Sequence, residues 1–233
     1  MSPESHHILG NFERALNQLN DDIARMGNKV EQSFETSVRG LLRRDTDLCN
    51  QVLADDEEID QLEIDIDRDG MQIIALYNPV ATDLRRVVSA MKVSSNLERV
   101  ADQAVGIAKR ARKMNKNAEL PETRLVEPIY DLAASLLHDA ISGFNSTGNL
   151  DEAIAIQTRD KEVDAAYKET AKRLTKRMEE DSEHIKDYLD LQFIIRFIER
   201  IGDHAKNIAQ DTVALLKEAG VDFGVLGEEE ICC

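Results

Sequence analysis

The sequence has no tryptophan, and with four tyrosines and six phenylalanines its aromatic content is only 4%. A core anchored on aromatic rings is excluded, so Leu, Ile, Val and Ala must fill it. Four prolines and eleven glycines in 233 residues are too few for a many-stranded sheet, which needs frequent turn residues. The expected fold class is therefore all-α. The longest apolar run, Ile73 to Tyr77, has five residues, whereas a helix needs about 20 to span a bilayer. Residues 1–10 carry neither a basic start nor an apolar stretch, so no export signal is expected and the expected location is the cytoplasm. Cysteine is scarce too: Cys49 stands alone in a helical pattern, and Cys232 and Cys233 are adjacent. No disulfide framework is expected from that spacing. The ending GEEEICC is acidic and lacks the basic residues that usually assist a lipid anchor, so it reads as a flexible tail.

What is abundant is acid. Lys and Arg number 29 against 45 Asp and Glu, a net charge of −16. Such a surface repels nucleic-acid phosphates and anionic lipid heads, so neither nucleic-acid binding nor direct membrane insertion is expected. The length suits one to two domains. Apolar positions recur in steps of three and four, the helical period. A first seam runs through Leu16, Leu19, Ile23, Met26, Val30, Phe34, Ser37 and Leu41, and a second through Val52, Ile59, Leu62, Ile66, Ile73 and Tyr77, where Asn78-Pro79 stops it. A third takes Leu84, Val87, Met91, Ser94, Leu97, Ala101, Ala104 and Ala108, turning to small residues where a neighbouring helix can come close. Lys113 to Glu127 has no period and reads as a linker. Three more helices follow: one from Pro128 to Phe144, one carrying Ile154, Ile156, Val163 and Ala166 after a turn at Ser146 to Asn149, and one from Leu191 through Leu215 that ends at Gly220.

The two halves are alike in sequence as well as in pattern. NLERVADQAVGIA from Asn96 aligns with FIERIGDHAKNIA from Phe197 at an offset of 101, and DEEID from Asp56 aligns with DKEVD from Asp160 at an offset of 104. Two motifs repeated in order at nearly one offset indicate tandem duplication. The expected organisation is a first three-helix bundle over 8–115, a linker over 116–127, a second bundle over 128–219 and a tail over 220–233.

Each repeated motif is an acid, three residues, and an acid: Asp56 with Asp60, Glu98 with Asp102, Asp160 with Asp164, and Glu199 with Asp203. Residues four apart share one helix face, and like charges there destabilise a helix by a few tenths of a kcal/mol, so a compensating cation is expected. Many acid pairs in so acidic a chain simply form a solvated face. Recurrence beside the same apolar neighbours favours metal binding here. Oxygen ligands suit hard or intermediate ions and leave the identity open among Fe, Mn, Mg and Zn. His204 follows Asp203, but Gln103 is its counterpart, so it reads as a capping or surface histidine. Arg99 and Arg200 stand beside the motif glutamates, placed either to neutralise the acidic face or to meet a partner.

On NPVATDLRRVVSAMKVSSNLERVADQAVGIAKRA and IIRFIERIGDHAKNIA, the chain resembles the PhoU family of bacterial and archaeal phosphate-uptake regulators. The resemblance extends from the first helix to about Lys217. It implies two tandem three-helix bundles, with multinuclear metal sites held by the four acid pairs. It also implies regulation without chemistry of its own, through the ATPase subunit of the phosphate ABC transporter and the phosphate-sensing histidine kinase, at the inner face of the membrane. A homodimer is expected. Ala101 stands where the family usually has Gly, and Gln103 where it often has His. The competing readings are a carboxylate-bridged metalloprotein with a catalytic or storage role, and a plain helical scaffold.

Overall fold

The computed structural model describes residues 3–145 and 150–224. Among them lie six α-helices and no strand: α1 (Pro3–Leu42), α2 (Thr46–Tyr77), α3 (Ala81–Met114), α4 (Glu127–Asn145), α5 (Leu150–Glu180) and α6 (Ile185–Gly224). The α1–α2 turn is set by Asp45, whose carboxylate accepts the backbone N–H groups of Asp47 at 2.9 Å and Leu48 at 3.1 Å, satisfying orphan donors of the new helix. At the other end of α2, Asn78 adopts the left-handed conformation, φ 45°, and Pro79 prevents continuation.

Helices α1, α2 and α3 pack against one another, as do α4, α5 and α6, and the halves join through α3 against α6 and α1 against α4. A single continuous apolar core results. Ala90, Ala101, Ala104, Ala108 and Ala111 of α3 are all buried, and their small size lets this central helix contact α1, α2 and α6 closely.

Helix α3 runs antiparallel to α6, with Lys92 beside Asp211, Asn96 beside Asn207, and Arg110 beside Asp190. The offset of 101 makes Asn96 equivalent to Phe197 and Gly106 to Asn207. The Asn96–Asn207 contact at 3.4 Å and the approach of the Phe197 ring to Gly106 are therefore the same pair of repeat positions exchanged. A Cβ on Gly106 would stand 2.9 Å from that ring, so this close approach needs glycine. The repeats meet about a pseudo-twofold axis. A polar latch holds one end of the crossing: buried Asp190 accepts hydrogen bonds of 2.7 Å from both Arg110 and Lys113, and Asp187 accepts one of 2.6 Å from Asn117. Arg44, on the α1–α2 turn, donates to the carbonyls of Asn115, Asn117 and Ala118 at the end of α3.

Several expectations need correction. The segment read as an aperiodic linker contains a 3-10 helix over Pro121–Val126, and Leu120 and Val126 are buried. Helix α6 passes Gly220 and continues to Gly224. Leu84 and Ile154, assigned to buried seams, are 36% and 40% exposed. Both lie near the start of their helices, where the bundle no longer covers every face. The turn at 146–149 and Cys232 and Cys233 lie outside the described residues. Cys49 is a buried free thiol.

Candidate metal centre

In the first repeat, Asp56 and Asp60 project from α2, and Glu98 and Asp102 from α3. Helical spacing puts each pair on one face, and the packing of α2 on α3 brings the faces together. The electrostatics of these groups reflect the meeting. Asp56 is raised above the usual carboxylate range, first by burial, then by the negative charges of Asp60 and Asp102. Glu98 is raised by burial, then by Asp102, Asp60 and Glu63. Charge is thus felt across the helix pair, and Glu63 is a member that the doubled motif does not contain. Lys109 lowers Asp56 in opposition to these acids.

The second repeat repeats the plan on α5 and α6. Glu199 is raised by burial, Asp203 and Asp164. Asp203 is raised by burial, then by Asp160 and Asp164, against the opposing charges of Lys206 and Arg200. Asp160 is only 4% exposed. Its carboxylate accepts a 2.6 Å hydrogen bond from Lys206, a site residue that the motif search passes over. The available signal was the repeat alignment, which sets Lys206 opposite Val105.

Acids of each predicted quartet thus lie within electrostatic reach of one another inside their own repeat. Among the described residues, however, no three His, Cys, Asp or Glu side chains converge closely enough to hold one ion as they stand. In the first repeat the donors are all carboxylate oxygens, and burial followed by neighbouring negative charge raises Asp56 and Glu98. Carboxylate oxygens are donors of the kind that hard cations take. In the second, the Lys206 ammonium already engages the most buried carboxylate, so the fit is poorer.

His204 caps no helix end. It is half-buried between the repeats, its Nδ1 3.2 Å from Asn96 Oδ1. Burial and the positive charges of Arg99 and Arg200 lower its pKa, favouring the neutral ring. Arg99 and Arg200 are exposed. With Gln103, His204, Asn207 and Gln210 they line an open groove of about 720 Å³ over the α3–α6 crossing.

A duplicated helical bundle with one paired-carboxylate cluster per repeat, meeting its twin about a pseudo-twofold axis, is the class of protein defined by this fold and site. The family model described as "PhoU domain" matches twice, over residues 23–111 and 126–212. The "Phosphate-specific transport system accessory protein PhoU homolog" of Pseudomonas putida is 34% identical over 224 residues, covering 96% of this chain and 86% of the relative. The Escherichia coli K12 "Phosphate-specific transport system accessory protein PhoU" is 32% identical over 225 residues, covering 97% and 92%. The crystal structure of PhoU from Pseudomonas aeruginosa matches with a TM-score of 0.85 at 32% identity, covering 88% of this chain and 99% of that one. The chain belongs to the PhoU family.

Proposed function

We propose that this chain is an accessory regulator of phosphate uptake that acts by contact rather than by turnover. The observation that carries the reading is kinship over nearly the whole chain with proteins named as accessories of the phosphate-specific transport system. No described helix is long and apolar enough to cross a membrane, so its approach to a transporter is peripheral, through protein partners at the cytoplasmic face. The partners are the ATPase subunit of the phosphate ABC transporter and the phosphate-sensing histidine kinase. Binding damps uptake and keeps the starvation response off when phosphate is plentiful. A homodimer is the assembly expected to do this.

Exposed apolar side chains support a protein-docking role. Leu84 and Val88 on α3 correspond at the offset of 101 to Ile185 and Leu189 on α6, and all four are exposed, between 36% and 47%. The antiparallel crossing sets the two pairs at opposite ends of α3 and α6, so they form two equivalent small apolar patches, and recurrence at matched positions distinguishes them from scattered exposed apolar residues. Arg99 and Arg200, also repeat-matched, supply exposed cations for an acidic partner surface. Asp56, Asp60, Glu98 and Asp102, with Asp160, Asp164, Glu199 and Asp203, are the residues that would hold Fe, Mn, Mg or Zn. When bound, the ion would neutralise the carboxylates. Under the competing metalloenzyme reading, His204 would be the added nitrogen ligand, but its Nδ1 engages Asn96.

The test is co-purification of the untagged protein from its own cells, with and without phosphate, followed by mass spectrometry. Recovery of the transporter ATPase and the kinase is expected, and it should be reduced for Leu84→Ser with Ile185→Ser. Recovery of neither partner overturns the reading and leaves a plain scaffold.

A further inference from the structure

The two carboxylate clusters are equivalent by descent but differ at two positions. Opposite Val105, which is 5% exposed and apolar, the second repeat has Lys206. Opposite Glu63, at the offset of 104, it has Tyr167. The first cluster thus gathers five acids, Asp56, Asp60, Glu63, Glu98 and Asp102, with no lysine at the Val105 position. The second has four acids and an internal ammonium. Lys206 Nζ donates to Asp160 Oδ2 at 2.6 Å, and the Asp160 side chain is 5% exposed. Lys109 of the first repeat is not equivalent to it. That side chain is exposed, and among the described residues it makes no ion pair within 4 Å.

A tethered ammonium competes with a free cation on favourable terms. It is held in place by the chain, so it gives up little translational freedom on pairing, and its hydrogen bond to an ionised carboxylate is of the strong, charge-assisted kind. A metal ion entering the second cluster must first pull Lys206 away from a carboxylate that water scarcely reaches. It then finds a site with one acid fewer, and affinity for hard cations depends on the charge of the ligand set. The first cluster has the additional acid and no lysine at the Val105 position.

We propose that the repeats are unequal metal sites: the first takes a divalent cation, while Lys206 serves the second as a built-in counter-ion that holds its metal occupancy down. This rests on the metal-binding reading of the acid pairs given above. It makes the response of the molecule to metal one-sided, confined to the α2–α3 half.

The test is titration of chelator-treated full-length protein with Mn2+, following free Mn2+ by electron paramagnetic resonance. In the wild type, Glu98→Gln with Asp102→Asn should weaken the tightest binding at least tenfold, and Glu199→Gln with Asp203→Asn should weaken it by a much smaller factor. Lys206→Met keeps the stem and removes the charge, and should add a second class of sites that the Glu199→Gln and Asp203→Asn changes abolish. The reciprocal Val105→Lys should weaken the first class at least tenfold, giving an independent test should Lys206→Met fold poorly by circular dichroism. If the two double variants weaken wild-type binding equally, or Lys206→Met and Val105→Lys change nothing, the inequality is refuted and the metal reading stands. If neither the wild type nor Lys206→Met binds Mn2+, the metal reading falls and the proposal falls with it.

Discussion

Single side chains in this molecule are defined by what they are packed against. Cys49 begins the second turn of α2, and its Sγ lies so near Gly40 that a Cβ added there would stand 2.7 Å from it. Burial, with a further push from Asp45, raises the thiol to about 11, so at neutral pH it is overwhelmingly protonated and a poor nucleophile. In a Cys232→Ser, Cys233→Ser variant, an aromatic disulfide reagent is expected to release no chromophore from the native protein and one equivalent after guanidinium is added. Rapid native reaction would mean that the α1–α2 corner opens on the timescale of the assay. Lys206 illustrates what a motif search misses at this scale. The doubled acids are visible because they are alike in both halves, whereas Lys206 matters because its position differs between them. Its partnership with Asp160 depends on α5 meeting α6, which no local spacing encodes. The contact of His204 with Asn96 was invisible for the same reason, since Asn96 comes from the other repeat.

At the scale of elements, the apolar seams were legible because a helix repeats every 3.6 residues and the core requires one face of each. Leu16 through Leu41 on α1, and Val52 through Ile73 on α2, are buried as that period demands. The period does not say where neighbouring helices stop covering a face. Leu84 therefore continues a seam in sequence but is exposed in space, together with its repeat equivalent Ile185. Nor could it reveal the 3-10 helix over Pro121–Val126, one turn too short to establish any period. Helix ends are chemically specific, and Asp45 shows how much one cap carries: it supplies both side-chain hydrogen bonds that begin α2 while the backbone of Arg44 takes a positive φ of 54° beside it. Replacing Asp45 with Ala should cost about 1 kcal/mol in urea denaturation, and replacement with Asn should restore most of it. A loss no greater than that of the control Asp47→Ala, which lacks the capping role, would show that the corner is held by packing and by Arg44 alone.

For the molecule as a whole, charge and symmetry act together. Asp56, Glu98, Glu199 and Asp203 all have raised pKa values in the folded chain, with burial as the leading cause and neighbouring acids next. The folded state therefore binds protons more readily than the unfolded one between the ordinary carboxylate range and the raised values. Stability withheld above that window returns as pH falls through it. The melting temperature of chelator-treated protein, minus that of the combined Glu98→Gln, Asp102→Asn, Glu199→Gln and Asp203→Asn variant, should rise as pH falls from neutral into the ordinary carboxylate range. Taking the difference largely removes the histidines, since His184, raised beside Asp181 at 2.8 Å, and His204, lowered by burial, act in opposite directions and are present in both proteins. A slope of opposite sign would show that the acid clusters are not under repulsive strain. Symmetry sets a different constraint, because the α3–α6 crossing is twofold in backbone but not in chemistry. Lys92 meets Asp211 at 3.6 Å, and at the exchanged positions Arg110 stacks on Phe193 with its guanidinium 3.8 Å from the ring centre. Two copies of the first repeat docked the same way would set Lys92 against Arg110 twice, and like charges across a contact disfavour the wrong partner. The complementary second repeat instead supplies an acid and an aromatic ring. Chains covering residues 1–118 and 119–233, produced together, should co-purify as a one-to-one pair. The first alone should show no discrete dimer by light scattering, and Asp211→Lys should weaken the pair. A well-behaved homodimer of residues 1–118 would show that apolar and alanine packing on α3 outweighs the charge pattern, and that the duplication retains an interface able to close on itself.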